Sequence, residues 1–331
     1  MGGMQGREQL LRQLADGRFH SGQRLAQALG LSRAAVWKQV QRLEADYGLA
    51  VSAVRGRGYR LAAPLELLDA ACIEAGLSAE VRARLHGLSV LWSTASTNSC
   101  AAADPPAESG RARVWLAEHQ TAGRGRRGRS WVSAFGENLY LSLAWRFDLP
   151  MGELAGLSIV AGVVVAEALQ RLGLEGHTLK WPNDVLVDGR KLSGILVEVS
   201  GEAGGPATAV LGVGVNFRIN EAHAAAIDQP WTDLSRTCPK RVSRNALAGL
   251  LIDGLARACD EFSEQRLQPF VGRWASFDRL HGRKVRLSRG QQVIEGVYRG
   301  ITAAGALVLE QAGGLSEHLA GEVSLRAAGE A

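Results

Sequence analysis

The sequence has no run of about 18 uninterrupted apolar residues, the length a membrane-crossing helix needs. Its most apolar stretch, Leu154 to Leu169, is broken by Ser158 and Glu167 and reads as a buried core helix. No apolar segment follows the first arginine, so the layout of a secretory signal is missing. Cysteine is scarce, at 72, 100, 238 and 259. Those gaps suit neither a zinc site nor a small disulfide scaffold, so no metal site is expected and a cytoplasmic location is. No Ser-His-Asp or Cys-His arrangement stands out, which argues against a side-chain nucleophile with its base. His119 lies beside Gln120, but nothing assigns it a role.

What is present is the composition of a globular chain, 46% hydrophobic and 21% charged over 331 residues. That length allows two or three domains. The net charge of +5 is modest, but it is unevenly spread. Residues 1–63 carry ten Lys and Arg against four Asp and Glu, whereas the rest carries 28 against 29. The basic excess therefore belongs to the N-terminal segment, the pattern of a nucleic-acid-facing module on a near-neutral body.

Within that segment Leu10, Leu11 and Leu14 have helical spacing, and Gly17 ends the helix. Ser21 is placed to cap a second helix that buries Leu25, Ala26 and Leu29 and stops at Gly30. Ser32 caps a third, "RAAVWKQVQRLEADYG", with Val36, Val40 and Leu43 inward. Val51 and Val54, a turn at Arg55-Gly56-Arg57-Gly58, then Tyr59 and Leu61 make a hairpin. Helix-turn-helix plus hairpin is a winged helix. Its third helix would enter a major groove with Ser32, Arg33, Lys38 and Arg42, and Arg55 and Arg57 of the wing would reach phosphates or a minor groove. The alternative is a protein-interaction domain with a solvated basic face. A boundary falls at Ala62-Ala63-Pro64. Residues 64–86 are helical in pattern through Leu65, Leu68, Ile73 and Leu77, and read as linker plus the first helix of the main domain.

In the central region a strand at Val90–Trp92 leads to Ser96-Thr97-Asn98 at a helix start, either a site for a polar ligand head or ordinary capping. "VWLAEHQ" is a buried strand. It runs into "GRGRRGRSW", residues 123–131, whose first six letters satisfy the dinucleotide-binding pattern GxGxxG. That reading needs a helix after the last glycine. "GENLYLSLAWRF" follows instead, with strand alternation at Leu139, Leu141, Leu143 and Trp145, so no βαβ unit can be built. An arginine loop for DNA is a second reading, but the flanking domain is neutral. A mobile loop closing over a phosphorylated ligand fits better: glycine permits backbone approach, arginine forks phosphate oxygens, and a tryptophan can cover a flat base. "KWPNDVLVDGRKLSGILVE" is a strand, a turn at Asp188-Gly189 and a returning strand that starts near Lys191. Lys191 is a ligand group or a surface hairpin lysine. "AVLGVGVNFRI" adds a strand in which Gly212 and Gly214 leave room for a ligand or for close packing, and Asn216 offers an amide. Positive charge, flexible glycine and amide donors suit a reaction driven by positioning and charge stabilisation, such as carboxylate attack on a nucleotide phosphate.

"STN", "AEHQTAGRGRRGRSW", "KWPNDVLVDGRKLSGILVE" and "GVGVNF", in this order, resemble the biotin–protein ligases (biotin–[acetyl-CoA-carboxylase] ligases). With the winged helix, essentially the whole chain is similar to the bifunctional form that is also the biotin operon repressor. The resemblance implies an α+β architecture. It would comprise a winged helix at 1–63, a catalytic mixed sheet with helices on one side like class II aminoacyl-tRNA synthetases at 64–274, and an SH3-like β-barrel at 275–331. "KVRLSRGQQVIEGVYRGITAAGALVLE" alternates accordingly. It implies MgATP and biotin as reactants, biotinyl-5′-AMP as intermediate, and a lysine of a biotin carboxyl carrier protein as acceptor. It also implies operator DNA as partner, a homodimer when adenylate is bound, and no membrane. Carried over by motif, Ser96, Thr97, Asn98 and Gln120 would hold the biotin ring. Arg124, Gly125 and Arg126 would close over biotin and the adenylate phosphate, and Lys191 would contact carboxylate and phosphate. Arg129 would serve the ATP phosphates, with Trp131 and Asn216 on the adenine side. Asn183 and Asp184 would lie near phosphate, metal or incoming lysine. The competing functions are a pure transcription factor that senses biotin without chemistry, which the arginine loop and Lys191 oppose, and a lipoate or other acyl ligase on the same core.

Overall fold

The computed structural model describes residues 2–202, 204–289, 292–319 and 324–327. The remaining positions of the expected C-terminal domain, 290–291, 320–323 and 328–331, lie outside them.

The N-terminal leucine pattern folds as α1 (Gly2–Leu14), α2 (Gly22–Leu29) and α3 (Arg33–Tyr47). Ser21 Oγ accepts the Arg24 N–H and Ser32 Oγ the Ala35 N–H, so both expected caps form. Leu10, Leu11, Leu14, Val36 and Leu43 have no exposed surface and make this module's core. Strands β1 (Val51–Val54) and β2 (Gly58–Leu61) pair antiparallel as the wing.

The single helix expected over 64–86 is instead two short ones, α4 (Ala70–Ala75) and α5 (Ala79–Arg84). Asp69 and Ser78 explain the break: each accepts a backbone N–H three residues on and so starts a new helix. Ser78 is also held by Asp253, with its Oγ donating at 2.5 Å. The next strand, β3 (Leu85–Leu91), begins five residues earlier than its apolar letters suggest.

The sheet continues through α6 (Thr97–Ala103), β4 (Ala112–Ala117), β5 (Asn138–Phe147), α7 (Leu157–Arg171), β6 (His177–Lys180), β7 (Asp184–Val187), β8 (Arg190–Gly201) and β9 (Ala207–Asn216). Strand order is β3-β4-β5-β9-β8-β7-β6, with β3 and β4 parallel and the other pairs antiparallel. Short α8 (Glu221–Ala224) and α9 (Leu234–Thr237) precede α10 (Arg244–Gln265) and α11 (Gln268–Phe277). Odd-numbered positions of β5 and β9, such as Leu141 and Val213, join α7, α10 and α11 in the main core. The segment Met151–Arg171, which ends in α7, is long and apolar enough to cross a membrane, yet 67% of its most apolar window is buried in the fold, as a core helix requires. Even-numbered positions face the other way, where α6 packs on the sheet through a small cluster of Ala101, Trp115, Ala144 and Val210. The candidate site residues lie on that face.

At the C-terminus β10 (Lys284–Arg289), β11 (Gln292–Ile301), β12 (Leu307–Gln311), β13 (Gly314–His318) and β14 (Ser324–Ala327) form an antiparallel sheet in the order β13-β12-β11-β10-β14. Its interior residues Val285, Leu287, Tyr298, Leu307 and Leu309 are continuous with the main core. Trp181 Nε1 donates to Gly305 O at 3.0 Å, which ties this sheet to the segment between β6 and β7.

Candidate active site

The register of the central strands builds the floor. Gly194 of β8, Gly214 of β9 and Tyr140 of β5 form one row; Leu196, Gly212 and Ser142 form the next. Paired residues share a face, so two glycines side by side leave a depression in the sheet. A Cβ on Gly214 would stand 2.8 Å from Trp131 Cζ2, and one on Gly194 2.9 Å from Trp131 Cζ3. The indole of Trp131 uses that depression.

The start of α6 forms one wall. Ser96 is extended (φ −160°) and its hydroxyl makes no capping hydrogen bond, although it is buried. Thr97 N and Oγ1 both donate to Gln120 Oε1, at 2.8 and 3.1 Å, which leaves Gln120 Nε2 free of that pairing. Asn98 is differently placed. Its Oδ1 accepts from Ser142 Oγ at 2.6 Å, and its Nδ2 donates to Glu198 at 2.8 Å and to Leu196 O at 3.3 Å. Ser142 Oγ also lies 2.8 Å from Thr97 Oγ1. Ser142 and Glu198 thus set the wall from beneath, and sequence reading missed both. The signal for Ser142 was a lone hydroxyl inside the apolar strand "LYLSLAW".

The arginine–glycine segment forms the lid. Only a single 3₁₀ turn, Arg126–Gly128, follows Gly125, so the helix that a dinucleotide fold requires is absent here. Arg124 and Ser130 bridge antiparallel, and Trp131 N donates to Gly123 O at 2.9 Å, folding the segment on itself. Gly123 is needed there, because a Cβ would stand 2.8 Å from Trp131 O. Arg126 Nη1 donates to Asn183 Oδ1 at 3.1 Å, and burial lowers its pKa, with Arg127 adding repulsion. Arg124 is exposed and reaches Ser99 Oγ at 3.2 Å and Glu198 at 3.4 Å. After the lid, Tyr140 Oη accepts the Ala134 N–H at 3.0 Å, and burial pushes its phenol up to about 12, so it stays protonated.

Lys191 owes its place to a bulge. Leu186 pairs with Lys191 where regular register demands Leu192. The extra residue reverses the alternation, so Leu192 stays in the core while Lys191 turns to the glycine face. Its Nζ lies 2.8 Å from Asp184 Oδ1, both side chains being mostly buried, and 5.5 Å from the Trp131 ring centre. That ion pair does not have hydrogen-bond angles, and among the described residues Asp184 Oδ1 accepts no hydrogen bond.

These walls line a cleft, open to solvent, that brings together Ser96, Thr97, Asn98, Gln120, Arg124, Gly125, Arg126, Trp131, Asn183 and Lys191. A second cleft shares Trp131 and Lys191 with it and adds Asn216, Asp228 and Trp231. Asn216 Nδ2 donates to Lys191 O and Thr232 O, at 3.2 and 3.0 Å. The 226–231 segment was not singled out from sequence. Asp184 lines neither cleft and reaches them through Lys191. Arg129 lines neither and is exposed.

In the winged helix Arg33, Lys38, Arg42, Arg55 and Arg57 are exposed, and Ser32 is spent as the α3 cap. The module is not isolated. Trp92 Nε1 donates to Tyr47 Oη at 2.9 Å, and the Phe135 ring lies 4.5 Å from Tyr47 and 4.7 Å from Trp92, centre to centre. His119 is part of this aromatic contact, not of the cleft, and burial lowers its pKa.

Comparison with known proteins accords with this arrangement. Residues 93–216 match the biotin/lipoate A/B protein ligase family, 7–60 an HTH domain and 280–326 the biotin protein ligase C-terminal domain. The bifunctional ligase/repressor BirA of Salmonella typhimurium is 42% identical over 96% of this chain and 97% of its own. That of Escherichia coli is 41% identical with the same coverage. Among solved structures, the biotin protein ligase from Aquifex aeolicus in complex with biotin and ATP superposes with a TM-score of 0.62 at 29% identity, covering 73% of this chain and all of that one.

Proposed function

This chain belongs to the family of bifunctional biotin–protein ligases and repressors, and from that premise we propose how its residues divide the work. It is an ATP-dependent biotin ligase with a DNA-binding repressor module. We divide it into a DNA-binding domain at 1–63, a catalytic domain at 64–274 and a C-terminal domain at 275–331, and infer a cytoplasmic location.

In the first step a biotin carboxylate oxygen bonds to the α-phosphorus of ATP, the bond to the bridging oxygen breaks, and pyrophosphate leaves biotinyl-5′-AMP. In the second a lysine amine of a carrier domain attacks the acyl carbon; AMP leaves with its oxygen, and the new amide loses the amine proton. Ser96 Oγ and Gln120 Nε2 present uncommitted polar groups to the ureido ring, while Thr97 and Asn98 hold that wall in shape. Gly125, Arg124 and Arg126 cover biotin and the phosphate. Lys191 lies in both clefts, so its ammonium is where the carboxylate and α-phosphate meet. It neutralises the charge that builds on the phosphate as the bond forms. Trp131 and Asn216 border the adenine side, and Arg129 swings in for the outer phosphates. Asp184 with Asn183 would face a magnesium ion carried on ATP, which would shield the phosphate charges. The observation that carries this reading is the shared lining: one lysine and one tryptophan belong to both clefts. Winged helices act on two-fold operators as dimers, so we also propose that adenylate closure favours a homodimer.

The test is to incubate the protein with biotin, MgATP and a biotin carboxyl carrier domain and weigh the carrier. A gain of one biotinyl group that requires both biotin and ATP is expected. Preferential transfer of lipoate, or biotin binding with no pyrophosphate released, would overturn the assignment.

A further inference from the structure

We propose that Trp37 is a base-reading residue of the winged helix and that it recognises thymine through its methyl group. The proposal rests on the DNA-binding reading of this module and adds a specificity determinant to its cations.

Trp37 is 52% exposed, whereas each of the other seven tryptophans is buried or half-buried. It sits in the second turn of α3, on the exposed flank beside the face that buries Val36, Val40 and Leu43. Arg33, Trp37 and Gln41 recur at four-residue spacing, with Ala34 and Lys38 beside them, and all five are exposed. Four-residue spacing makes them one stripe on the helix. The first turns of a recognition helix are the part that meets base edges.

The charge around the stripe selects the occupant. The acidic residues of α3, Glu44 and Asp46, stand at its far end, and both are engaged: Glu44 Oε1 accepts the Val51 N–H, and Asp46 pairs with Arg7. The near end carries only cations, Arg33 and Lys38, with Arg42 one turn on. In the wing the Arg57 guanidinium is 4.1 Å from the Phe19 ring centre and that of Arg60 4.7 Å, which holds both on one aromatic platform. A polyanion suits this surface, and an apolar plate between its cations suits the one apolar mark in a major groove, the thymine C5-methyl. Cations on phosphates set affinity and register without reading sequence. Trp37 supplies what they lack.

The experiment selects binding sites from a pool of random DNA duplexes with the full chain in the presence of biotin and MgATP. Trp37→Ala and Trp37→Phe are run in parallel, and binding is then measured over a range of salt. Wild type is expected to enrich sites with a thymine at one position of each half-site. Deoxyuridine there should weaken wild-type binding roughly five- to a hundred-fold and leave Trp37→Ala unaffected. Trp37→Phe should fall between. The salt dependence of all three should have one slope, because no phosphate contact is lost. The deoxyuridine arm with wild type requires no altered protein to fold. The same sites and affinities for Trp37→Ala, or equal deoxyuridine effects on both proteins, would overturn the role, as would a Trp37→Ala protein that has lost self-association without DNA, which would make this face a contact between copies. Wild type that binds no DNA at all would overturn the DNA reading itself, a distinguishable result.

Discussion

Lys191 shows how much one side chain depends on its neighbours. A lysine at the start of a hairpin strand is ordinarily solvated, yet here only 16% of its side chain is exposed and its ammonium faces Asp184. Without a bound substrate Asp184 is its counter-charge; with one, the carboxylate and phosphate would compete for the same ammonium. Lys191→Ala is expected to slow adenylate formation by about 2–4 kcal/mol in activation free energy, the scale for removing one preorganised charge-stabilising group. Pyrophosphate release under single-turnover conditions measures it, and wild-type rates would remove Lys191 from the chemistry. Asn98 carries the opposite lesson. Both of its N–H groups are taken by Glu198 and Leu196 O and its oxygen accepts from Ser142, so it shapes the wall of the cleft more than it offers a free donor.

Among the elements, β9 is the one that the site most constrains. Its odd positions are core, and its even positions must stay small where Asn98 and Trp131 descend on the sheet. A Cβ at Gly212 would stand 2.1 Å from Asn98 Oδ1, closer than any real contact. Gly212→Ala should therefore expel the Asn98 amide and tilt the start of α6. The expected result is a large rise in KM for biotin with KM for ATP little changed, read by steady-state adenylation with each substrate varied. Equal rises in both would show that the strand, and not the biotin wall, had been disturbed. The lid is folded by bonds between its own two arms, Gly125 N to Arg129 O and Trp131 N to Gly123 O, while Arg124 and Arg126 tie it to Ser99, Glu198 and Asn183.

For the whole molecule, the joint between DNA-binding module and catalytic core is built from buried polar pairs as well as aromatic rings. Arg244 and Glu118 are 1% and 2% exposed and pair at 2.9 Å. Glu118 also accepts the Leu68 N–H at 2.5 Å, and Arg244 donates to Glu66 O at 2.6 Å, so the pair anchors the linker that follows the wing. Removing one partner leaves the other charged and buried. Glu118→Ala is expected to destabilise the protein by about 3–5 kcal/mol, lowering the midpoint of urea unfolding and speeding proteolysis near Ala63-Pro64. An unchanged midpoint would mean that this pair does not hold the joint. The aromatic contact of Tyr47, Trp92 and Phe135 lies between the end of the DNA-reading helix and the segment that follows the lid, which gives lid and helix a shared packing surface.

Local chemistry was legible in the letters. Ser21 and Ser32 cap because a hydroxyl before a helix satisfies a free N–H wherever the rest of the chain goes. The strand after "GRGRRGRSW" excluded a dinucleotide fold because alternation is a property of neighbouring residues. The winged helix, the arginine lid and the Lys191 hairpin were legible for the same reason. The break between α4 and α5 was missed although its caps, Asp69 and Ser78, are local; only the Asp253 bond that holds Ser78 comes from far along the chain. Ser142 and Glu198 were not legible, because their importance arises from Asn98 crossing over Gly212. The bulge that turns Lys191 to the site, and the exposure of Trp37 on a helix that buries its other face, likewise depend on register and on which surface finds a partner. Capping and alternation act over a few residues, so sequence alone determined them; facing, burial and coupling arise only when distant segments meet, and the tertiary structure decided those.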